Sequence, residues 1–289
     1  MVAAQSRELV LTPGDGGSDL ATGSVFFIGT ATVLLRYAGF TILTDPNFLH
    51  RHEKARLGYG LSSRRLTNPA LDLADLSPID LVLLSHFHED HFDRLVQRDL
   101  DRRLPIVTNA HGAVALRRQG FVAVQELDTW ETLTVAKGEA RLRITAVPGT
   151  HGPGILGKLL PPVMGSILEF GPATGGTAFR IYVTGDTLVF KRLKEIPERF
   201  PDIDLALLHL GGTRAYGVLV TMDGKQGVEA IRIVDPALSI PIHYNDYTVF
   251  KSPLEDFRKE VEAAGLTDRV RYLAHGETYA FDVPAGRGA

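Results

Sequence analysis

Short apolar runs separated by turn residues open the chain. Ser24–Ile28, Thr32–Arg36 and Phe40–Thr44, broken by Gly29 and Gly39, predict a meander of three strands. Leu81–Leu84 follows Pro78 as four unbroken apolar residues, the mark of a strand buried on both faces. Asp93–Leu100 has helical spacing. Ile106–Thr108, a helix over His111–Gln119 closed by Gly120, and Val122–Val124 form a β-α-β pattern. Leu133–Val135 and Ala140–Val147 predict a hairpin.

Two apolar or irregular stretches break the rhythm. His50–Asn68 carries Arg51, Lys54, Arg56, Arg64 and Arg65 around Gly58 and Gly60 with no clean period, and is expected to be a long irregular insertion. It is either a solvated loop or a basic lid over an anionic substrate. Gly152–Met164 is rich in Gly, Pro and Leu, and Pro153, Pro161 and Pro162 bar a regular helix. The second half returns to strands at Gly165–Phe170, Phe179–Thr184 and Leu205–Leu208. Asp223 with Gln226 forms a capping box for a helix through Val234. Ser252, Pro253 and Glu255 mark another helix start, with Leu254, Phe257, Val261 and Ala264 on one face. Val270–Leu273 and Thr278–Phe281 close the chain as strands. Two β-then-α halves without a linker predict two packed sheets with helices outside, in a single domain over 1–289. Residues 1–23 are expected to be partly flexible, fraying to about Ala21.

Composition narrows the function. The 289 residues carry 31 Lys+Arg against 34 Asp+Glu, a net charge of −3, with 44% hydrophobic and 22% charged residues. That balance argues against a nucleic-acid binder and against global disorder. With no cysteine, disulfides, Cys-ligated metals and thiol nucleophiles are excluded. No run reaches the roughly 18 apolar residues that span a bilayer. The N-terminus lacks the pattern of a signal peptide. A cytoplasmic protein is expected, and a homo-oligomer is compatible with the sequence.

The chemistry concentrates in Ser85-His86-Phe87-His88-Glu89-Asp90-His91, directly after the buried strand. In extended chain His86 and His88 point to the same side and can hold one cation through imidazole nitrogens. If the chain then turns, Asp90 and His91 face a second cation beside the first.

This motif, its place after a buried strand and the elements that follow resemble the metallo-β-lactamase superfamily, over about Ser24–Phe281. The resemblance implies an αββα sandwich of two mixed β-sheets packed face to face with helices outside. It also implies three later metal ligands: His151 in Val147-Pro148-Gly149-Thr150-His151, Asp186 in Thr184-Gly185-Asp186-Thr187, and His243 in Ile240-Pro241-Ile242-His243. His86, His88 and His151 would hold one metal; Asp90, His91 and His243 the other; Asp186 would bridge them. Asp45 in Thr44-Asp45-Pro46 would orient a ligand histidine from behind. Two divalent ions are expected, zinc foremost, although a His/Asp set also suits manganese or iron(II). Opposed by Asp90, Asp186 and one bridging hydroxide, two such ions leave about one positive charge for an anionic substrate. The expected reaction is attack of that hydroxide on a carbonyl or phosphoryl centre, with Asp90 orienting it and moving a proton.

Within the superfamily, Ser85–Asp93, Thr44-Asp45-Pro46 and Thr221-Met222-Asp223 are most similar to the group of the L-ascorbate-6-phosphate lactonase and the N-acyl-phosphatidylethanolamine phospholipase D. The implied substrate is a phosphodiester or lactone in a small or lipid-like anionic molecule. A nuclease of the same fold and a non-hydrolytic metal-binding protein are the alternatives. His209, before Gly211-Gly212 at a strand end, is a candidate substrate contact; so, with less to support them, are His111 at a helix start and His275 in a turn. The mouth of the site is expected between the apolar 152–164 loop and the basic Arg51–Arg65 stretch.

Overall fold

In the strand Leu205–His209, Leu205 and Leu207 enter one apolar core while Ala206 and Leu208 enter another. Alternating side chains thus bury both faces of one strand, which is why its sequence reads as an unbroken apolar run. The computed structural model describes residues 7–13, 18–58, 60–154, 157, 160–284 and 286–288. In chain order, β1 (Arg7–Leu11) precedes β2 (Thr22–Gly29), β3 (Thr32–Tyr37) and β4 (Phe40–Thr44). A hairpin of β5 (Lys54–Gly58) and β6 (Leu61–Arg64) comes next. Then follow β7 (Leu81–Leu83), α1 (Arg94–Asp99), β8 (Ile106–Thr108), α2 (Ala110–Arg118) and β9 (Val124–Glu126). The chain continues through β10 (Thr132–Lys137), β11 (Ala140–Pro148), β12 (Met164–Pro172), β13 (Phe179–Val183), α3 (Glu195–Arg199) and β14 (Leu205–His209). A second hairpin, β15 (Arg214–Ala215) and β16 (Val218–Leu219), leads to α4 (Gly224–Val234), β17 (Leu238–Ile242), α5 (Leu254–Ala263) and β18 (Thr278–Asp282).

Two seven-stranded mixed sheets result, ordered β1-β10-β11-β12-β13-β14-β17 and β18-β2-β3-β4-β7-β8-β9. The core between them joins Phe27, Leu35 and Ile42 of one sheet to Leu142, Leu168 and Ile181 of the other. Outside, Ile231 of α4 and Phe257 of α5 cover Ile167 and Tyr182. On the opposite face, Val96 of α1 and Leu116 of α2 cover Val82 and Ile106. The layers are therefore helices, sheet, sheet, helices, as expected.

Several local expectations are corrected. Residues 7–11, expected to be irregular, form β1, which pairs in parallel with β10, Leu9 opposite Val135, and covers that sheet edge. The 50–68 stretch is not irregular, because Lys54–Gly58 and Leu61–Arg64 pair as a hairpin in which Ala55 and Ser63 are buried. Val270–Leu273 is not a strand; only Val270 makes a bridge, to Ser239. Ser252 does not cap its own helix, which starts from Pro253 without a side-chain cap; its hydroxyl instead accepts from the Gly224 amide at 3.2 Å, at the start of α4. Asp223 caps α4 through the Gln226 amide (3.0 Å), but the Gln226 side chain reaches Val189 rather than closing the box. In the 152–164 loop, the Gly157 amide donates to the Pro153 carbonyl at 3.3 Å. Ile155, Leu156 and Leu159 lie outside the described residues.

Candidate metal centre

The parallel pairings β4–β7 and β13–β14–β17 point their C-terminal ends the same way. β11 joins this direction, since both it and β13 run antiparallel to β12. Asp45 leaves β4, Ser85–His91 follows β7, His151 follows β11, Asp186 follows β13, His209 ends β14 and His243 follows β17. One end of the sandwich thus gathers every one of these residues. Two turns need unusual backbone: Asp45 and His243 both have positive φ, 35° and 62°. Such conformations cost roughly 1–3 kcal/mol for a non-glycine residue and concentrate at functional sites.

After β7 the chain folds tightly. The His88 carbonyl accepts from the His91 and Phe92 amides, and buried Phe92 pins the turn. Asp93 anchors the next step, capping α1 through Leu95 and Val96 and accepting from the Phe48 and Leu49 amides.

Two groups of candidate ligands form side by side. His86, His88 and His151 bring ligand atoms within 4.8 Å of one another; so do Asp90, His91, Asp186 and His243. The fit to cations shows in the hydrogen bonding. His151 Nδ1 lies 3.1 Å from the Asp186 and Val220 carbonyls, and His243 Nδ1 lies 3.1 Å from the Leu210 carbonyl. Each ring therefore carries its proton on Nδ1 and turns a lone pair inward from Nε2. His86 Nε2 faces His88 Nδ1 at 3.1 Å, and His91 Nε2 faces Asp186 Oδ1 at 3.4 Å. Ligands bonded at 2.0–2.1 Å in a tetrahedron stand about 3.3 Å apart. Asp90 Oδ1, Asp186 Oδ1 and His243 Nε2 are buried without any hydrogen-bond partner. Orphaned acceptors of this kind are costly unless a cation satisfies them.

Electrostatics divides the two groups. Burial lowers the pKa of His86 well below its ordinary value, that of His88 to about 4, and that of His151 as well, so all three are neutral donors. Burial acts in the same sense on His91 and His243. There it is outweighed by carboxylates, chiefly Asp186, which raise both. Asp186 and Asp90 are lowered in return, as the neighbouring imidazoles overcome the penalty of burial. The Thr221 hydroxyl donates to Asp186 Oδ2 at 2.9 Å and fixes its orientation.

Asp45 stands behind this layer. Its Oδ1 accepts from the Ser85 amide (2.7 Å), while Oδ2 lies 3.2 Å from His91 Nδ1 and 3.3 Å from His209 Nε2. Against burial, His91 and His209 bring its pKa down to about 2. His209 is wholly buried and also touches the Thr184 hydroxyl, so it is placed behind the ligands and not at the mouth, where a substrate contact was expected. Nor does the structure bring the other two candidates to the centre. His111 is exposed in the first turn of α2. His275 pairs with Asp246 (3.2 Å) and packs edge-on against Phe27.

A cavity of about 190 Å³ opens onto His88, Asp90, His151 and Asp186. Leu57, Leu61, Leu160, Val220 and Val249 form its apolar wall. The 54–64 hairpin thus contributes leucines. Arg51, Lys54 and Arg56 are not among the lining residues, and among the described residues the one Lys or Arg there is Arg214. This corrects the expected basic rim. Thr213, Arg214 and Tyr216 also line the cavity and were missed; the only sequence signal near them is Gly211-Gly212, which marks a loop but not its use.

Comparison with known proteins agrees with this fold. The sequence profile of the β-lactamase superfamily domain matches residues 41–244. An isothiocyanate hydrolase from Delia radicum gut bacteria superposes with a TM-score of 0.75 at 23% identity, over 90% of this chain and 99% of that one. Igni18, a metallo hydrolase from Ignicoccus hospitalis, gives 0.64 at 25%, over 90% and 98%. Fold and site define a metal-dependent hydrolase of the metallo-β-lactamase fold. A UPF0173 metal-dependent hydrolase of Methanopyrus kandleri is 29% identical over 259 residues, covering 88% of this chain and 98% of the relative. Another, from Ignicoccus hospitalis, is 30% identical over 211 residues, covering 70% and 79%. The chain belongs to this UPF0173 metal-dependent hydrolase family. Among the described residues no helix is long and apolar enough to cross a membrane.

Proposed function

We propose that the protein is a dinuclear hydrolase of ester-type bonds, acting on a lactone or phosphodiester in a small or lipid-like anionic molecule. The observation that carries this reading is the pair of adjacent His/Asp groups at the floor of an apolar cavity. His86, His88 and His151 would hold one divalent ion, and Asp90, His91 and His243 the other, with Asp186 between them. Zinc is the expected metal. Bound ions would supply an activated water and polarise the bond to be cleaved. Asp90, which lines the cavity and whose Oδ1 has no partner, would orient that water and accept its proton. Thr221 and Asp45 hold Asp186 and His91 in place, and the leucine wall excludes bulk water. In balance, water adds across the ester bond and yields an acid and an alcohol. The bond class is supported by the likeness of Ser85–Asp93 and Thr44-Asp45-Pro46 to the lactonase and phospholipase D group. We assign it to one cytoplasmic domain.

A second reading follows from the wall. Its apolar character also suits an uncharged electrophile such as an isothiocyanate, the substrate named for the solved structure at TM-score 0.75. Elemental analysis of the purified protein, with a screen of lactones, phosphodiesters, phosphomonoesters and benzyl isothiocyanate, separates the readings. Fewer than two metals per chain after reconstitution refutes the dinuclear site. Turnover of isothiocyanate alone refutes the ester.

A further inference from the structure

Beside the metal cavity lies a second, of about 280 Å³, and Arg214 lines both. The partition between them is made of neighbouring residues. Gly212 faces the second cavity and Thr213 the first; Leu219 faces the second and Val220 the first. Thr213 is only 8% exposed, yet its hydroxyl has no partner. The two chambers differ in chemistry. The first is walled by leucine and valine. The second is lined by Lys225, Lys251 and Lys259 besides Arg214.

None of these four cations forms an ion pair among the described residues. Lys251 donates to the Thr248 carbonyl at 2.8 Å, and Arg214 donates to the Gly217 carbonyl at 3.0 Å with one of its five N–H groups. Three carboxylates share the chamber. They are Asp223, which accepts from the Gln226 amide, Asp256, which accepts from the Ser252 hydroxyl, and Glu260, so four cations face three anions. Cations are thus in excess and unpaired, at the positive end of α4.

Resting on the ester-hydrolase reading, we propose that the substrate is amphiphilic. Its apolar part and scissile bond lie in the first cavity, and an anionic end, carboxylate or phosphate, reaches across Arg214 into the second. Arg214 is suited to the crossing point, since its planar fork grips an oxyanion while its stem lies along apolar surface. The anion is then recognised at a distance from the metals, so recognition and bond cleavage use different parts of the molecule.

The test uses metal-loaded protein and 4-nitrophenyl esters of linear monocarboxylic acids. Each is compared with the 4-nitrophenyl half-ester of the dicarboxylic acid of equal chain length. At one chain length kcat/KM for the half-ester should exceed that for the neutral ester by about tenfold or more. Arg214→Gln, or Lys225→Gln with Lys259→Gln, should bring that ratio towards one. Calorimetric titration with hexanoate and with hexyl phosphate, against hexanol for the chain alone, reads the anion site without turnover and shows which headgroup it takes. Weaker binding by Arg214→Gln than by wild type supports the proposal. Equal affinities overturn it, whatever the ratios, because the metal ions alone would then hold the anion. If no ester is cleaved while the titration still separates wild type from Arg214→Gln, the ester reading fails and the anion site stands.

Discussion

Replacing Asp45 by Asn tests the layer behind the metals with almost no change of shape. The carboxylate accepts from the Ser85 amide on Oδ1, and its Oδ2 lies 3.3 Å from His209 Nε2 and 3.2 Å from His91 Nδ1, the imidazole it faces as a counter-charge. An asparagine has one oxygen and one NH2, so whichever way it turns it sets donor against donor. With the NH2 towards the histidines, His91 must move its proton to Nε2, the nitrogen that faces Asp186, and can no longer offer a lone pair there. With the NH2 towards Ser85, a buried amide loses its partner at a cost of roughly 1–3 kcal/mol. Loss of an orienting partner of this kind typically costs 10–100-fold in metal affinity, about 1.4–2.7 kcal/mol. The loss should fall on the metal held by His91. The group His86, His88 and His151 has no direct contact with Asp45 and meets it only through Ser85, whose amide donates to Asp45 and whose hydroxyl lies 3.0 Å from His86 Nδ1. Competition with a chromogenic chelator, followed by elemental analysis, should show one site weakened and one intact, with thermal unfolding reporting the fold. Equal weakening of both sites, or of neither, would refute the assignment of Asp45 to His91.

Other outcomes follow from the same geometry. Wild-type protein should carry close to two divalent ions per chain and lose activity to a chelator; His86→Ala with His88→Ala should lose one ion and keep its circular dichroism. Asp90→Asn keeps the shape but removes the proton acceptor, so kcat should fall by about 10²–10⁴ with little change in KM under steady-state assay. Ser at Arg51, Lys54 and Arg56 should leave KM unchanged, whereas Leu57→Asp should raise it; the reverse would restore a basic rim. The Asp246 carboxyl is pushed up by burial, but His275, Arg65 and Thr67 more than offset this and hold it below the ordinary range. Its contribution to stability is therefore present above about pH 4 and lost as pH falls through the lower, folded value. Asp246→Asn should destabilise by about 2–3 kcal/mol near neutrality, and the gap in denaturant unfolding should narrow in acid.

The histidine motif was legible because its chemistry is local: six consecutive positions carry four of the groups, and the strand before them is uniformly apolar. His209 was misplaced although the information was present. By strand parity it shares a face with Leu205 and Leu207, which lie between the sheets, and so it meets Asp45 from the opposite sheet. Its position before two glycines suggested the surface instead. The 54–64 hairpin was hidden by its charges. Ala55, Leu57, Leu61 and Ser63 turn inward or sideways in a two-residue alternation, but the arginines and lysine between them dominate the reading. For β1, Leu9-Val10-Leu11 is an apolar run, but only Leu9 and Leu11 pack against the core while Val10 faces outward, and the Gly- and Asp-rich residues that follow pointed to a loose terminus. Val270–Leu273 shows the converse: Val270 and Leu273 are buried, but burial came from packing and not from a ladder.

The uneven spacing of the candidate ligands bears on how the protein comes to be made. His86, His88, Asp90 and His91 sit within one turn, whereas His151, Asp186 and His243 arrive on β11, β13 and β17. A nascent chain therefore carries a short chelating peptide long before the second sheet can form, and closing the intervening loops costs entropy that an ion already bound does not remove. Metal present during synthesis would be captured loosely at the first four groups and locked only when β17 brings the last candidate ligand, His243, into place. Because the unfolded chain also binds, added metal should raise the unfolding temperature by less than its affinity for the native site implies.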